Sequence, residues 1–166
     1  MESFLIYRNE GGFVVKKTYF ATNADVERLH SFFGQANKKD DKINELYEQF
    51  MILEDAGEIQ AVIGYEQKGE NALIRSCLFT PIVDNKTFLY FFEMFLQYMK
   101  EKSMGQVYLL TNHPQSVTIF QFFNFITVEK HKVPEDIQQL EHFCENIKQQ
   151  NVIILNCQLF TKLSTD

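Results

Sequence analysis

Few side chains in this sequence are placed to move a proton or to hold a charged substrate. His113, followed by Pro114, stands in a segment of loop character, where an imidazole either shuttles a proton near neutral pH or is an ordinary turn residue. Glu54, Tyr65 and Glu66 are acid–base groups close to strand ends. Tyr65 and Glu66 are adjacent, so on a strand they point to opposite faces and only one can serve a given site. Arg75 carries a planar guanidinium that can hold a carboxylate through paired hydrogen bonds; the alternative is a surface ion pair with Glu66 or Glu70 across a hairpin. Cys77 has no visible basic partner to make it a thiolate, which argues against a cysteine nucleophile. His30, His131 and His142 have no ligand spacing, and no two of Cys77, Cys144 and Cys157 form a CxxC pair, so neither a metal site nor a disulfide framework is expected.

Those residues must be positioned by a regular set of elements. Residues 1–15 hold two apolar runs, Phe4-Leu5-Ile6-Tyr7 and Phe13-Val14-Val15, split by Asn9-Glu10-Gly11-Gly12; they form either a hairpin or a loosely attached arm. Residues 16–20 read as a strand. Thr22 or Asn23 can cap a helix on which Val26, Leu29, His30 and Phe33 share a face, weakened or ended by Gly34. A polar loop at 38–41 leads to a second short helix at 43–50. Strands at 50–54, 59–67 and 72–80 follow as an antiparallel meander, with Gly57 free to take positive φ in the first turn and Pro81 stopping the third strand.

The longest helix is expected over 85–103, because Phe88, Phe91, Phe92, Phe95, Leu96 and Met99 recur at helical spacing. Leu89, Tyr90 and Met94 make the rest of its circumference apolar, so it packs under the sheet and can also face another chain; a homodimer is the simplest partner. Then come a strand at 106–111, a Phe-rich helix at 116–124, a strand at 125–129, a helix at 134–149 opened by Pro134, Glu135 and Asp136, and a strand at 152–160. A meander followed by strand–helix alternation gives an α/β class, a mixed and mostly antiparallel sheet with helices on both faces, within one domain over 1–166.

Composition sets the outer limits. At 166 residues and 45% hydrophobic content the chain can bury a core, and 17 phenylalanines with no tryptophan place much of that packing on Phe rings. A formal net charge of -6 argues against nucleic acid and anionic lipid as partners, although backbone N–H groups at a helix start still bind phosphate. Reduced thiols, no signal peptide and no membrane-length apolar stretch lead to an expected cytoplasmic location.

With that order of elements in hand, a family resemblance is visible. Residues 54–65, Glu-Asp-Ala-Gly-Glu-Ile-Gln-Ala-Val-Ile-Gly-Tyr, resemble the second and third strands of the GNAT N-acetyltransferases, and residues 72–81 resemble their fourth. Val107-Tyr108-Leu109-Leu110-Thr111 resembles the fifth, and residues 119–125 sit where the family has a helix, a tight turn and flanking aromatics. Residues 132–137 are similar to a branch with arsenic-related and amino-acid N-acetyltransferases. The resemblance spans roughly 16–160 and lies in order and spacing.

It implies the GNAT acyltransferase fold and an acetyl-CoA-dependent N-acetyltransferase, in which a small primary amine attacks the thioester directly. On that basis Cys77, Leu78 and Phe79 run beside the acetyl-pantetheine arm through their backbone, and Asp84-Asn85-Lys86-Thr87-Phe88-Leu89 is the pyrophosphate loop. Glu54, Tyr65 and His113 are the implied acid–base groups, and Arg75 the substrate-carboxylate ligand. The loop departs from the family pattern. Asp84 stands where a basic or amide side chain is usual, and Thr87 and Leu89 fill positions usually small. Phe120 replaces the usual tyrosine acid, and Asn124 replaces a turn glycine. Two readings follow, a rebuilt cofactor loop in a working enzyme or a catalytically silent GNAT-fold binding module that has lost CoA.

Overall fold

The computed structural model describes residues 2–160; Met1 and residues 161–166, which the one-domain reading includes, lie outside the described residues. Local sequence chemistry explains the elements. Ser3–Asn9 (β1) and Gly12–Phe20 (β2) form an antiparallel hairpin about Gly12, whose φ of 121° suits only glycine. The hairpin reading of the N-terminus therefore holds, and β2 is one strand that runs on through Lys16 to Phe20.

A short 3₁₀ turn at Asn23–Asp25 opens Val26–Gln35 (α1), and the Thr22 N–H donates to Asp25 Oδ2 at 2.9 Å. Gly34 does not end this helix; the chain turns out at Asn37, with φ 53°. The second helical stretch is Ile43–Leu46 (α2) continued by a 3₁₀ turn at Tyr47–Gln49. The meander is Phe50–Asp55 (β3), Glu58–Lys68 (β4) and Asn71–Phe79 (β5), and Gly57 does take positive φ, at 81°.

Asn85–Glu101 (α3), Gln106–Thr111 (β6), Pro114–Gln121 (α4) and Ile126–Val128 (β7) come next. The helix expected over 134–149 is two short ones, Glu135–Gln138 (α5) and Glu141–Asn146 (α6), because Leu140 adopts extended geometry (ψ 136°) and buries its side chain. Ile153–Gln158 (β8) closes the set. The eight strands are ordered β1-β2-β3-β4-β5-β6-β8-β7; β5 and β6 pair in parallel, and β1–β2, β2–β3, β3–β4, β6–β8 and β8–β7 pair antiparallel.

The chain divides into two compact units. The first, Met1–Tyr65 with Ser76–Phe95, packs α1 and α2 on one sheet face through Leu29, Phe32, Phe33, Ile43, Phe50 and Ile52. A run of ring contacts, Phe79–Phe88, Phe88–Phe92 and Phe92–Phe95, follows the inner side of α3. The second, Glu66–Arg75 with Leu96–Asp166, buries Leu73 and Tyr108 against Val133, Ile137, Leu140 and Phe143. Among the described residues no helix is long and apolar enough to cross a membrane, and no three His, Cys, Asp or Glu side chains gather as a metal site.

Candidate functional site

β5 is nine residues long, yet its parallel pairing with β6 covers only residues 71–73 against 106–108. Burial falls along the same direction, from Leu73 at 0% exposed to Phe79 at 50%. Cys77, Leu78 and Phe79 thus occupy the uncovered end of the strand. Leu78 still packs on the first unit's core, and burial pushes the Cys77 thiol up to about 12, which keeps it protonated and unreactive. Thr80, at the strand's end, donates its N–H to Gln60 O, and its Oγ1 is buried with no partner among the described residues.

The loop 84–89 begins α3, and a side chain of the loop caps it. Asp84 is the N-cap: its Oδ1 accepts the Thr87 N–H at 2.7 Å, and Phe88 N–H donates to Asp84 O at 3.0 Å. Bonds from the Thr87 side chain and backbone hold the Asp84 carboxyl below its ordinary range. Thr87, only 1% exposed, bonds through its hydroxyl to the Tyr7 hydroxyl of β1. Lys86 donates to Arg8 O at 3.1 Å and lies over the Tyr7 ring. Asn85 is exposed, Phe88 stacks in the core and Leu89 is half-buried. Tyr90, the outermost of the apolar residues that gave α3 a spare face, is stacked on Tyr7 with centroids 5.5 Å apart.

Asp84 thus takes up the Thr87 N–H and sets a carboxylate at the end of α3 where a pyrophosphate would bind, so a bound pyrophosphate would meet charge repulsion there. A signal for this was present: an Asp directly before a helical run is a capping residue as well as a charge. Tyr7 carried no such signal, since its partner lies 80 positions along the chain. Neither did Lys16, which is 8% exposed, donates to Gln60 Oε1 at 2.6 Å and contributes to the pull on Asp84.

Each acid–base residue has its own surroundings. Glu54 accepts from the Tyr19 hydroxyl at 2.5 Å and from Arg28 Nη2 at 3.0 Å; Tyr19's bond above all holds its carboxyl low, and burial pushes Tyr19 up to about 12. Tyr65 is 2% exposed in an aromatic nest, edge-on to Phe20 and Phe95. In the second unit, Arg75 pairs with Glu66 at 3.6 Å, with its side chain 6% exposed and that of Glu66 18%, so the pair expected at the surface is half-buried. His113 is exposed at the N-cap of α4, its backbone N–H donating to Thr111 Oγ1. Phe120 is buried against Phe125, and Asn124 takes φ 67°, so the turn survives without glycine. An open cleft of about 310 Å³ in the first unit is lined by Glu27, Arg28, Ser31 and Gln35 among others, but not by Glu54 or Tyr65.

No protein-family model matches this sequence, and no curated protein matches it. Solved structures do match. N-acetylglutamate synthase from Neisseria gonorrhoeae, solved with coenzyme A and N-acetyl-glutamate, superposes with a TM-score of 0.70 at 13% identity over 88% of this chain and 35% of that one. This chain thus spans about a third of that synthase. A GNAT-family acetyltransferase from Staphylococcus aureus Mu50 gives 0.64 at 14% identity, over 87% of this chain and 99% of that one. The ribosomal-protein-S18-alanine N-acetyltransferase from Escherichia coli gives 0.62 at 8% identity, over 90% and 97%. The chain has the fold of the GNAT acetyltransferases.

Proposed function

We propose that this protein is an acetyl-CoA-dependent N-acetyltransferase that acylates a small primary amine. The observation that carries the reading is the short β5–β6 ladder: β5 continues for six residues past its pairing with β6, and the backbone of residues 76–79 lies along a strand edge suited to an extended amide-bearing arm. The coenzyme forms of three structures of this fold support it, since they are solved with coenzyme A.

Acetyl-CoA, when bound, supplies the acetyl group as a thioester. The chain's part is positioning through the β5 backbone and exclusion of side reactions. Cys77, held as a thiol, would not compete with the amine for the acetyl group. Phe120 has no proton to give, so its side chain would not protonate a leaving thiolate. Of Glu54, Tyr65 and His113, only His113 is exposed and outside a bonded network of the core, and it is the residue assigned to accept the amine's proton. Arg75 is the assigned carboxylate ligand, exchanging Glu66 for the substrate.

Asp84 favours a second reading, a GNAT-fold module that no longer takes CoA, because its carboxylate already satisfies the start of α3. Titration calorimetry of acetyl-CoA into the protein, with a thermal-shift series beside it, separates the two. Micromolar binding that raises Tm supports the transferase; no heat and no shift at millimolar acetyl-CoA sinks it and leaves the silent module.

A further inference from the structure

The β1–β2 hairpin has two unlike faces. One carries Leu5, Tyr7 and Lys16, all buried. The other carries three cross-strand pairs, Phe4 with Lys17, Ile6 with Val15, and Arg8 with Phe13. Its four apolar side chains are unusually open for a folded sheet: Phe4 is 57% exposed, Ile6 61%, Phe13 76% and Val15 52%. Further along the same sheet face α1 covers Ile52 and its β2 neighbour Tyr19, and Phe4, Ile6, Phe13 and Val15 stay open beyond that edge.

The arrangement of charge on this face says what would cover it. Each end pair holds one aromatic and one cation, and the order reverses between ends, so Phe4 and Phe13 lie on one diagonal and Lys17 and Arg8 on the other. Turning a second hairpin over about a two-fold axis in the sheet plane exchanges the diagonals. Ile6 and Val15 then meet Ile6 and Val15, and every Phe ring meets a Lys or Arg, when the axis runs along the strands or across them. Cations over aromatic faces attract, and Lys17 already lies over the Tyr19 ring while paired with Glu2 at 2.8 Å; a partner that was apolar throughout would cover Arg8 and the Lys17–Glu2 pair with nothing to offset their desolvation. We infer that this hairpin face is a two-fold interface with a second copy of this chain, packed as aligned sheets.

The area sets its strength. The four open apolar side chains offer on the order of 400–500 Å² per copy, near the upper range of patches on monomers and about half of the ~800 Å² per partner of a standard interface. The stems of Arg8 and Lys17 add to it. The dimer should therefore be weak, with Kd in the micromolar range, ~1–100 μM.

Sedimentation velocity of the full chain across that range is the test, with Ile6→Glu and, separately, Phe13→Lys as variants whose side chains enter no buried contact. Circular dichroism and Tm show that each variant is folded. Wild-type protein should move from monomer to dimer with concentration, and each folded variant should weaken that step by about 100-fold or more. The inference is overturned if wild-type protein stays monomeric to ~1 mM, or if folded variants dimerise as wild type does. Monomeric protein that instead floats with phosphatidylcholine vesicles would overturn it in favour of a lipid surface.

Discussion

Replacing Asp84 with asparagine separates the two things its carboxylate does at the start of α3. Asparagine caps a helix about as well as aspartate, so the bond from the Thr87 N–H, 2.7 Å in the native chain, is kept while one negative charge is lost. Asp84 is exposed, so the water-like end of the dielectric range applies. Two unit charges ~6 Å apart there interact by ~0.7 kcal/mol, and a pyrophosphate carries at least two. The gain on removing the carboxylate is then about 1.4 kcal/mol, roughly tenfold in acetyl-CoA affinity at low salt, shrinking as ionic strength rises. Stability should move by a few tenths of a kcal/mol at most, whereas Asp84→Ala should lose about 1 kcal/mol and roughly 2–4 °C of Tm. The folded carboxyl titrates below its ordinary value of 3.8. The capping contribution is thus complete above that value and fades as pH falls through the lower folded value, where the alanine deficit should shrink. Calorimetry with acetyl-CoA on the three proteins reads affinity, and thermal melts across pH read the cap. Equal affinity in wild type and Asp84→Asn would refute the electrostatic argument, and an asparagine variant as unstable as the alanine one would refute the capping argument.

Four other outcomes are expected. A Cβ at Gly64 would stand 2.6 Å from Cε1 of the fully buried Phe50 ring, so Gly64→Ala should cost about 1–3 kcal/mol in urea unfolding, and Phe50→Leu in the same chain should recover part of it. Glu54→Gln should cost about 1 kcal/mol or less at pH 7, given that Arg28 is 39% exposed. Because the Glu54 carboxyl is held low, that cost should disappear as pH falls through its folded pKa, which unfolding curves at pH 7 and in acid would show. Iodoacetamide at neutral pH should label exposed Cys144 well before Cys77 or Cys157, both raised by burial; peptide mapping that finds Cys77 first would contradict its burial. His113→Ala should lower acetyl transfer by about 10²-fold or more with acetyl-CoA affinity unchanged, and intact turnover would remove His113 from the mechanism.

What the sequence discloses of this fold follows a physical division. Strands and helices with a strong period were legible because one face meets the core: Phe88, Phe91, Phe92, Phe95 and Met99 place α3, and all five are buried. Local turn chemistry was legible too, at Gly57 and at Asn124 with its positive φ. Elements decided by distant packing were not. The break between α5 and α6 depends on Leu140 turning inward, and β2 runs unbroken through Lys16 because β1 pairs with it up to Thr18 and β3 from Lys17 onward. The site shows the same split. Thr87 and Leu89 can be seen in the sequence as departures from small residues, but the Tyr7 hydroxyl that meets Thr87 cannot. Glu54 and Tyr65 looked like acid–base groups because their types are; their neighbours Arg28, Tyr19, Phe20 and Phe95 tie them into the structure instead.

The sheet order β6-β8-β7 has a consequence for how the chain matures. β7 hydrogen-bonds to β8, and β8 also fills the place beside β6, yet β8 is made after both. As the nascent polypeptide leaves the ribosome, the hairpins β1 to β5 can zip as they appear, since each pairs with the strand just before it. β6 and β7 must wait with an open edge until Ile153–Gln158 threads between them. During that interval Val107, Leu109 and Ile126 are without the strand that flanks them, and that stretch of synthesis is where a chaperone has most to shield.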